Sequence, residues 1–594
     1  MTFKELSKYI EKIEGISSRV EITKILADLF QKLTPVEYEK SVYLLLGRLT
    51  PKYEMLNFGM AEKMVIRAIA SAVQMDKSEF VKEYKKSGDL GDTTQKFKSM
   101  QRSMLESEPT ILQVFDELVA VAKAGGKGSQ DEKIAKLSNL IQMVDAVSAR
   151  YIVRIPLGVL RLGFSDMTVL DGLSWMLKGD KSIRPNLQKA FHVNPDLGLI
   201  GRTLKEKGLK EVEKIEPEIF TPILMMRAER LSSGKEIVEQ IGKCAVEPKF
   251  DGFRLQIHKK GDEVRLYTRG LDDATFMYPD IVSAVKKEVK VKNVIFEGEA
   301  IGYDTDSGSF LPFQETVQRK RKYDIEEMSK KIPLKLFAFD LLVLNGKNFV
   351  SQEFTKRRSA LESVLRKNID PEKAGVILAQ QELMEDPKKI DIMFEDAVSK
   401  GLEGIIAKRL KGRYEPGARG WNWIKFKRSY SSKIDDTIDC LVMGYDFGKG
   451  KRTKFGIGAF LAGVYDPKTE QFVTVAKIGT GLTDNEWREL KVKSEKIKVK
   501  KKPTQYDTDK IMDVDVWIDS EIVVEIKADE ISRSAVHTAG RVLKPSKSKT
   551  AFEVDVAGFA LRFPRLERFR DDKSPSEVTT VQEVGKMFAK QKKE

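Results

Sequence analysis

A lysine able to act as a nucleophile stands in the run Glu247-Pro248-Lys249-Phe250-Asp251-Gly252-Phe253-Arg254. A deprotonated amine can attack phosphorus and carry the phosphate as a phosphoramidate, and this spacing fits a covalent-nucleotide site. Lys-x-Asp-Gly is also an ordinary strand-turn signal, so the rest of the chain must decide between the two. Glu299 and Glu403 lie in segments otherwise full of apolar neighbours, where an unpaired carboxylate is costly. A hard divalent cation would account for both, since magnesium takes one or two carboxylates together with substrate phosphates. Salt bridges to a neighbouring Lys or Arg would satisfy them too. Lys425 and Lys427 flank Phe426, which in a strand puts both amines on one face. Phe339 offers a ring on which any purine could stack, or belongs with Phe337 to a core.

These groups need strands to position them. From Phe253 onward Phe253, Leu255 and Ile257 alternate with Arg254, Gln256 and His258, and Lys260-Gly261-Asp262 supplies a turn before Val264-Arg265-Leu266-Tyr267 returns. The pattern predicts a hairpin with Lys249 at its entrance. Strands and helices mix up to residue 427. Residues 1–215 instead show the helical spacing seen in Val20–Phe30, and Pro217 and Pro222 bracket the change, placing a boundary near 216. After Lys427 a serine-rich connector, including Ser431, leads to short glycine-punctuated strands that read as a compact barrel through 594.

At 594 residues the chain has room for roughly three to four domains. No apolar run of about 18 or more residues is present to span a bilayer, and the N-terminus lacks the pattern of a secretory signal. Two cysteines, Cys244 and Cys440, exclude a disulfide framework and fit a reducing, intracellular compartment. The formal charge of +15 favours a polyanionic partner, although a lysine-rich proteome or thermal adaptation would produce it as well. No Gly-x-x-x-x-Gly-Lys-Ser/Thr loop supports a P-loop ATPase.

Further segments follow Lys249 in a telling order. Tyr267-Thr268-Arg269-Gly270, Phe296-Glu297-Gly298-Glu299-Ala300, Phe337-Ala338-Phe339-Asp340, Glu403-Gly404-Ile405-Ile406-Ala407-Lys408, Trp423-Ile424-Lys425-Phe426-Lys427 and the stretch from Arg562 to Lys573 resemble successive motifs of the covalent nucleotidyltransferases. The form of the last resembles the archaeal- or eukaryotic-type ATP-dependent DNA ligases.

That resemblance implies a multidomain protein: an all-α DNA-binding domain over 1–215, an α+β nucleotidyltransferase (adenylation) domain over 216–427, and a β-barrel OB-fold domain with a C-terminal tail over 428–594. It implies a three-step reaction in which Lys249 takes AMP from ATP, AMP passes to the 5′-phosphate of a nick, and the 3′-hydroxyl displaces it. Glu247 would meet the adenine amino group, Arg254 the ribose and phosphate, and Arg269 the ribose or nick phosphate. Lys425 and Lys427 would meet the α-phosphate with Arg419 nearby, and Glu299 and Glu403 would hold magnesium, with manganese as a substitute. Arg562, Arg565 and Arg568 suit a triphosphate tail or DNA phosphates, a solvated charged face being the alternative. Arg150, Arg154 and Arg161 sit among apolar residues of a segment resembling the family's DNA-binding domain, or else belong to a core helix. Gln101, Met104 and Leu105 loosely resemble a sliding-clamp-binding segment whose two aromatics are here Met and Leu. A monomeric, cytoplasmic, archaeal enzyme of replication, repair and recombination acting on nicked duplex DNA is the reading this leads to. A GMP-loading enzyme or RNA ligase with the same core, and a scaffold with a decayed site, are its rivals.

Overall fold

The computed structural model describes residues 1–594 apart from 101–106, 161, 305–308, 312, 322–323, 366–371, 373, 400–401, 428–436, 449–454, 480–481, 535, 546–551, 563 and 592–594. Arg161, the segment Gln101–Leu105 and Ser431 therefore lie outside the described residues.

Helices fill the N-terminal region, from Phe3–Glu14 to Leu209–Val212. Several start on capping boxes: Thr2, Thr34 and Thr110 each accept the backbone N–H three residues on, and Glu5, Glu37 and Gln113 return the bond. The segment read as helical, Val20–Phe30, lies in the helix Arg19–Lys32, with Ile22, Leu26, Leu29 and Phe30 buried as their spacing requires.

One expectation is corrected here. Arg154, at the end of the helix Ala146–Arg154, is only 1% exposed, and Asp89, Asp92 and Glu14 bind its guanidinium at 2.9 Å. Arg150 on the same helix is bound by Glu14 at 2.7 Å and Asp92 at 2.9 Å. Both arginines are turned inward onto carboxylates rather than presented to a polyanion. An arginine this deep keeps its charge only with such partners.

Two sheets follow. One runs Arg227–Arg230, Arg419–Lys427, Gly404–Arg409, Cys244–Lys249, Glu382–Met384, with the first pair parallel and the others antiparallel. The other is centred on Phe253–Lys260, Asn293–Asp304 and Leu334–Leu344, with Glu263–Thr268 forming the expected hairpin at its edge. Phe394 stacks on Phe426 with centroids 3.9 Å apart, seating the helix Pro387–Ser399 on the first sheet.

The described contacts fall into two compact units, Met1–Lys427 and Arg428–Glu594. The helices give way to strands near residue 216, yet packing crosses that point. The Leu224 N–H donates to the His192 carbonyl at 2.8 Å, and Tyr53 is buried with Tyr267 and Leu271. Within the second unit, antiparallel strands Ile438–Asp446, Ala459–Asp466 and Gln471–Ile478 form the centre of a sheet, and Val523–Lys527 pairs with both Ile438–Asp446 and Arg565–Phe569. The helix Val581–Gln591 buries Val581 and Val584. Among the described residues no helix is long and apolar enough to cross a membrane.

Candidate active site

Strand register gathers the chemistry. In the first sheet Lys249 pairs with Gly404 and Gly404 with Lys427, while Glu247 pairs with Ile406 and Ile406 with Lys425. Alternation then gives Glu247, Lys249, Lys408, Lys425 and Lys427 one common face. In the second sheet Arg254 pairs with Glu299 and Glu299 with Phe337. The two faces enclose a cavity of about 670 Å³. Lys249, Glu247, Arg254, Arg269, Glu299, Phe339, Glu403, Arg419, Lys425 and Lys427 all line it.

Two glycines make the approach possible. A Cβ on Gly252 would fall 2.2 Å from the Ala300 carbonyl oxygen, so the turn linking the sheets closes only without a side chain. Gly404 has φ +140°, and a Cβ there would fall 2.2 Å from the Phe426 carbonyl oxygen. The Asp-Gly and Glu-Gly pairs of the sequence are thus steric requirements. Glu403 is held at the strand end by its N–H, which donates to the Lys249 carbonyl at 3.1 Å.

Glu403 contacts the Lys249 amine directly through Oε2, and its Oε1 lies 3.9 Å from Lys427. The carboxyl of Glu299 is pushed up to about 7, first by burial and then by the nearby Glu403 and Asp251, with Lys249 and Arg254 opposing. Lys425 is pushed down to about 8 by burial and by the cations Arg230, Lys427, Lys249 and Arg419. Arg254 donates to Glu297 at 2.8 Å and to the Met226 carbonyl at 2.7 Å, and faces the rings of Phe339 and Trp423 at 5.5 and 5.1 Å. Arg269 and Arg419 reach the cavity from exposed positions. Among the described residues no cluster of three or more His, Cys, Asp or Glu could hold a metal alone. Two neighbouring carboxylates, one of them raised chiefly by burial and further by the other, suit a divalent cation that shares substrate oxygens.

Sequence reasoning overlooked Lys408, which is 1% exposed beneath the cavity, bound to Glu247 at 2.7 Å and lying 5.0 Å from the Phe339 ring centroid. Its parity with Ile406 on a strand was the signal that could have found it. Tyr414, whose hydroxyl donates to Glu297 at 3.0 Å, had no local signal. In the second unit Arg565 pairs with Asp529 and Arg568 with Glu525, each at 2.6 Å, while remaining exposed; Arg562 is half-buried on a neighbouring strand.

Known proteins match this arrangement along its length. Three family descriptions fall in order: DNA ligase N terminus over residues 2–174, ATP dependent DNA ligase domain over 225–427, and ATP dependent DNA ligase C terminal region over 453–573. The chain is 46% identical over 595 residues to a probable DNA ligase of Dictyoglomus turgidum, covering 100% of this chain and 98% of that protein. It is 39% identical over 603 residues to a DNA ligase of Pyrobaculum calidifontis, covering 100% and 99%. A solved structure described as Pmar-Lig_PreS3 shares the fold, with a TM-score of 0.53 at 17% identity over 95% of this chain and 99% of that one. Identity of this extent, joined to a lysine set among carboxylates and cations between two sheets, places the chain in the family of ATP-dependent DNA ligases, enzymes that seal nicks in duplex DNA.

Proposed function

We propose that Lys249 carries AMP between ATP and the nick. The amine of Lys249, once deprotonated, attacks the α-phosphorus, a P–N bond forms, the P–O bond to pyrophosphate breaks, and the proton that the nitrogen sheds passes to solvent. AMP then moves from Lys249 to the 5′-phosphate, and the 3′-hydroxyl displaces it. The observation carrying this reading is that register brings the candidate groups around Lys249 into one cavity. Lys425, Lys427 and Arg419 bind phosphate oxygens, Arg254 the ribose and phosphate, and Arg269 the ribose or the nick. Glu299 and Glu403 would hold magnesium, which when bound neutralises charge on the reacting phosphate. Incubation with radiolabelled ATP or GTP and a denaturing gel tests the reading: a label from ATP that survives denaturation supports it, and a label from GTP alone overturns it.

Phe339 takes one face of the adenine. Phe339→Ala is expected to raise the KM for ATP far more than it lowers turnover, by the about 1–3 kcal/mol that base stacking contributes. An unchanged KM would return the ring to the core it shares with Trp423.

Lys425 makes ATP binding depend on pH. Its ammonium form meets a polyphosphate and its neutral form does not, and the free lysine loses its proton near pH 8. ATP affinity is therefore expected to fall as pH rises through that value, with a proton taken up on binding. Lys425→Arg is expected to abolish this alkaline limb in a titration of Kd against pH.

The parts of the chain divide the work: a helical DNA-binding domain over 1–215, the adenylation core over 216–427, and an OB-fold over 428–594, a reading supported by the antiparallel strands of the second unit. Arg562, Arg565 and Arg568 would engage a triphosphate tail or DNA phosphates, Arg565 and Arg568 after exchanging their carboxylate partners. The enzyme is read as an intracellular monomer of replication, repair and recombination.

A further inference from the structure

Glu247 is gripped from two sides by cations that the reaction does not use. Lys408 donates to its Oε2 at 2.7 Å and to the Phe339 carbonyl at 2.9 Å. Arg358, on the helix Phe354–Leu365, stands 3.7 Å from Oε1 and is oriented by Glu362, which accepts from its Nε at 2.8 Å. Glu247 is 2% exposed, Lys408 1% and Arg358 6%. Arg358 Nη1 and Glu247 Oε1 each lack a hydrogen-bond partner among the described residues, so neither is claimed by another group. Asp340 also faces Glu247 and is itself bound by Arg357 at 2.8 and 3.0 Å. Burial pushes the Glu247 carboxyl up, and Lys408 and Arg358 oppose that push. Arg358 lies outside every segment that resembles a family motif.

We propose that Arg358 is a positioning residue for base selectivity: together with Lys408 it keeps Glu247 a carboxylate that can only accept hydrogen bonds. Such a group takes a purine presenting an amino group at that edge and rejects one presenting a carbonyl. A protonated Glu247 would carry a donor and lose the distinction. The fixed guanidinium therefore matters more for the choice between ATP and GTP than for the chemical step. This rests on Glu247 being the group that meets the base.

The test uses the full chain as Arg358→Met and Arg358→Lys, beside Glu247→Gln. Arg358 also lines a second cavity of about 410 Å³, so the methionine has room. Rates of lysyl-AMP and lysyl-GMP formation are measured against ATP and GTP concentration from about pH 6 to about pH 8.5. Arg358→Met is expected to raise the KM for ATP about tenfold with a smaller change in kcat, and to cut the ATP-to-GTP ratio of kcat/KM by about tenfold or more. Its KM for ATP is also expected to worsen as pH falls and Glu247 protonates, and Arg358→Lys to restore most of the selectivity. A purely structural role would lower stability and leave the ratio unchanged. An unchanged ratio in Arg358→Met with a collapsed ratio in Glu247→Gln overturns the role of Arg358. An unchanged ratio in Glu247→Gln overturns the reading of Glu247 beneath it. Should Arg358→Met fail to fold, Arg358→Gln carries the same comparison.

Discussion

Lys249→Ala is expected to leave no covalent AMP on the protein and no sealing from ATP, a loss to background rather than a slowing. The nucleophile is removed, and Glu403, its direct partner, cannot replace it: a carboxylate would form a mixed anhydride, not a phosphoramidate. Binding to nicked duplex is expected to stay close to that of the parent, because Arg269, Arg419, Lys425 and Lys427 still line the cavity and the basic surface is untouched. Gel-shift titration and an adduct assay on the same preparation check both halves. A surviving adduct in this variant would move the nucleophile elsewhere.

Arg154→Ala is expected to cost about 3–5 kcal/mol of stability in the helical region, the usual penalty for stranding the partners of a buried ion pair. Asp89, 4% exposed, and Glu14, 19% exposed, carry most of it, while Asp92 at 46% can turn to water and contributes little. Equilibrium unfolding in urea, followed by hydrogen exchange across the helix Ala146–Arg154, reads the loss. The lysyl-AMP step of the folded fraction is expected to be nearly unaffected. A change below about 1 kcal/mol accompanied by weaker, less salt-dependent nick binding would return Arg154 to the DNA.

The contrast between these two residues shows what was legible. Lys249 could be read from its own Lys-x-Asp-Gly run, and Lys425 and Lys427 because a strand's two-residue period fixes which side chains share a face; both are properties of local sequence. The hairpin from Phe253 and the helix around Leu26 follow for the same reason. Arg154 was misread because its environment is non-local: Glu14 ends one helix and Asp89 caps another far back in the chain, and nothing near position 154 announces them. Contact of Lys249 with Glu403 and of Glu247 with Arg358 is equally non-local. The prolines near 216 lie between the last N-terminal helix, Leu209–Val212, and the first strand, Arg227–Arg230, but composition does not register Tyr53 packing on Tyr267 and Leu271, which joins the two regions in one compact unit. Lys408 lay between these cases, with its face given by parity and its pairing with Glu247 visible only in the fold.

A single-turnover chase tests the central claim most directly. Protein is incubated with ATP labelled in the α-phosphate, freed of nucleotide and pyrophosphate, and mixed with a nicked duplex in magnesium alone. The expected result is a label that maps to Lys249 by peptide mass before the chase and leaves it during the chase, with one sealed nick and one AMP for each adduct lost. A label on any other residue, or an adduct on Lys249 that persists while nicks remain open, would contradict the account.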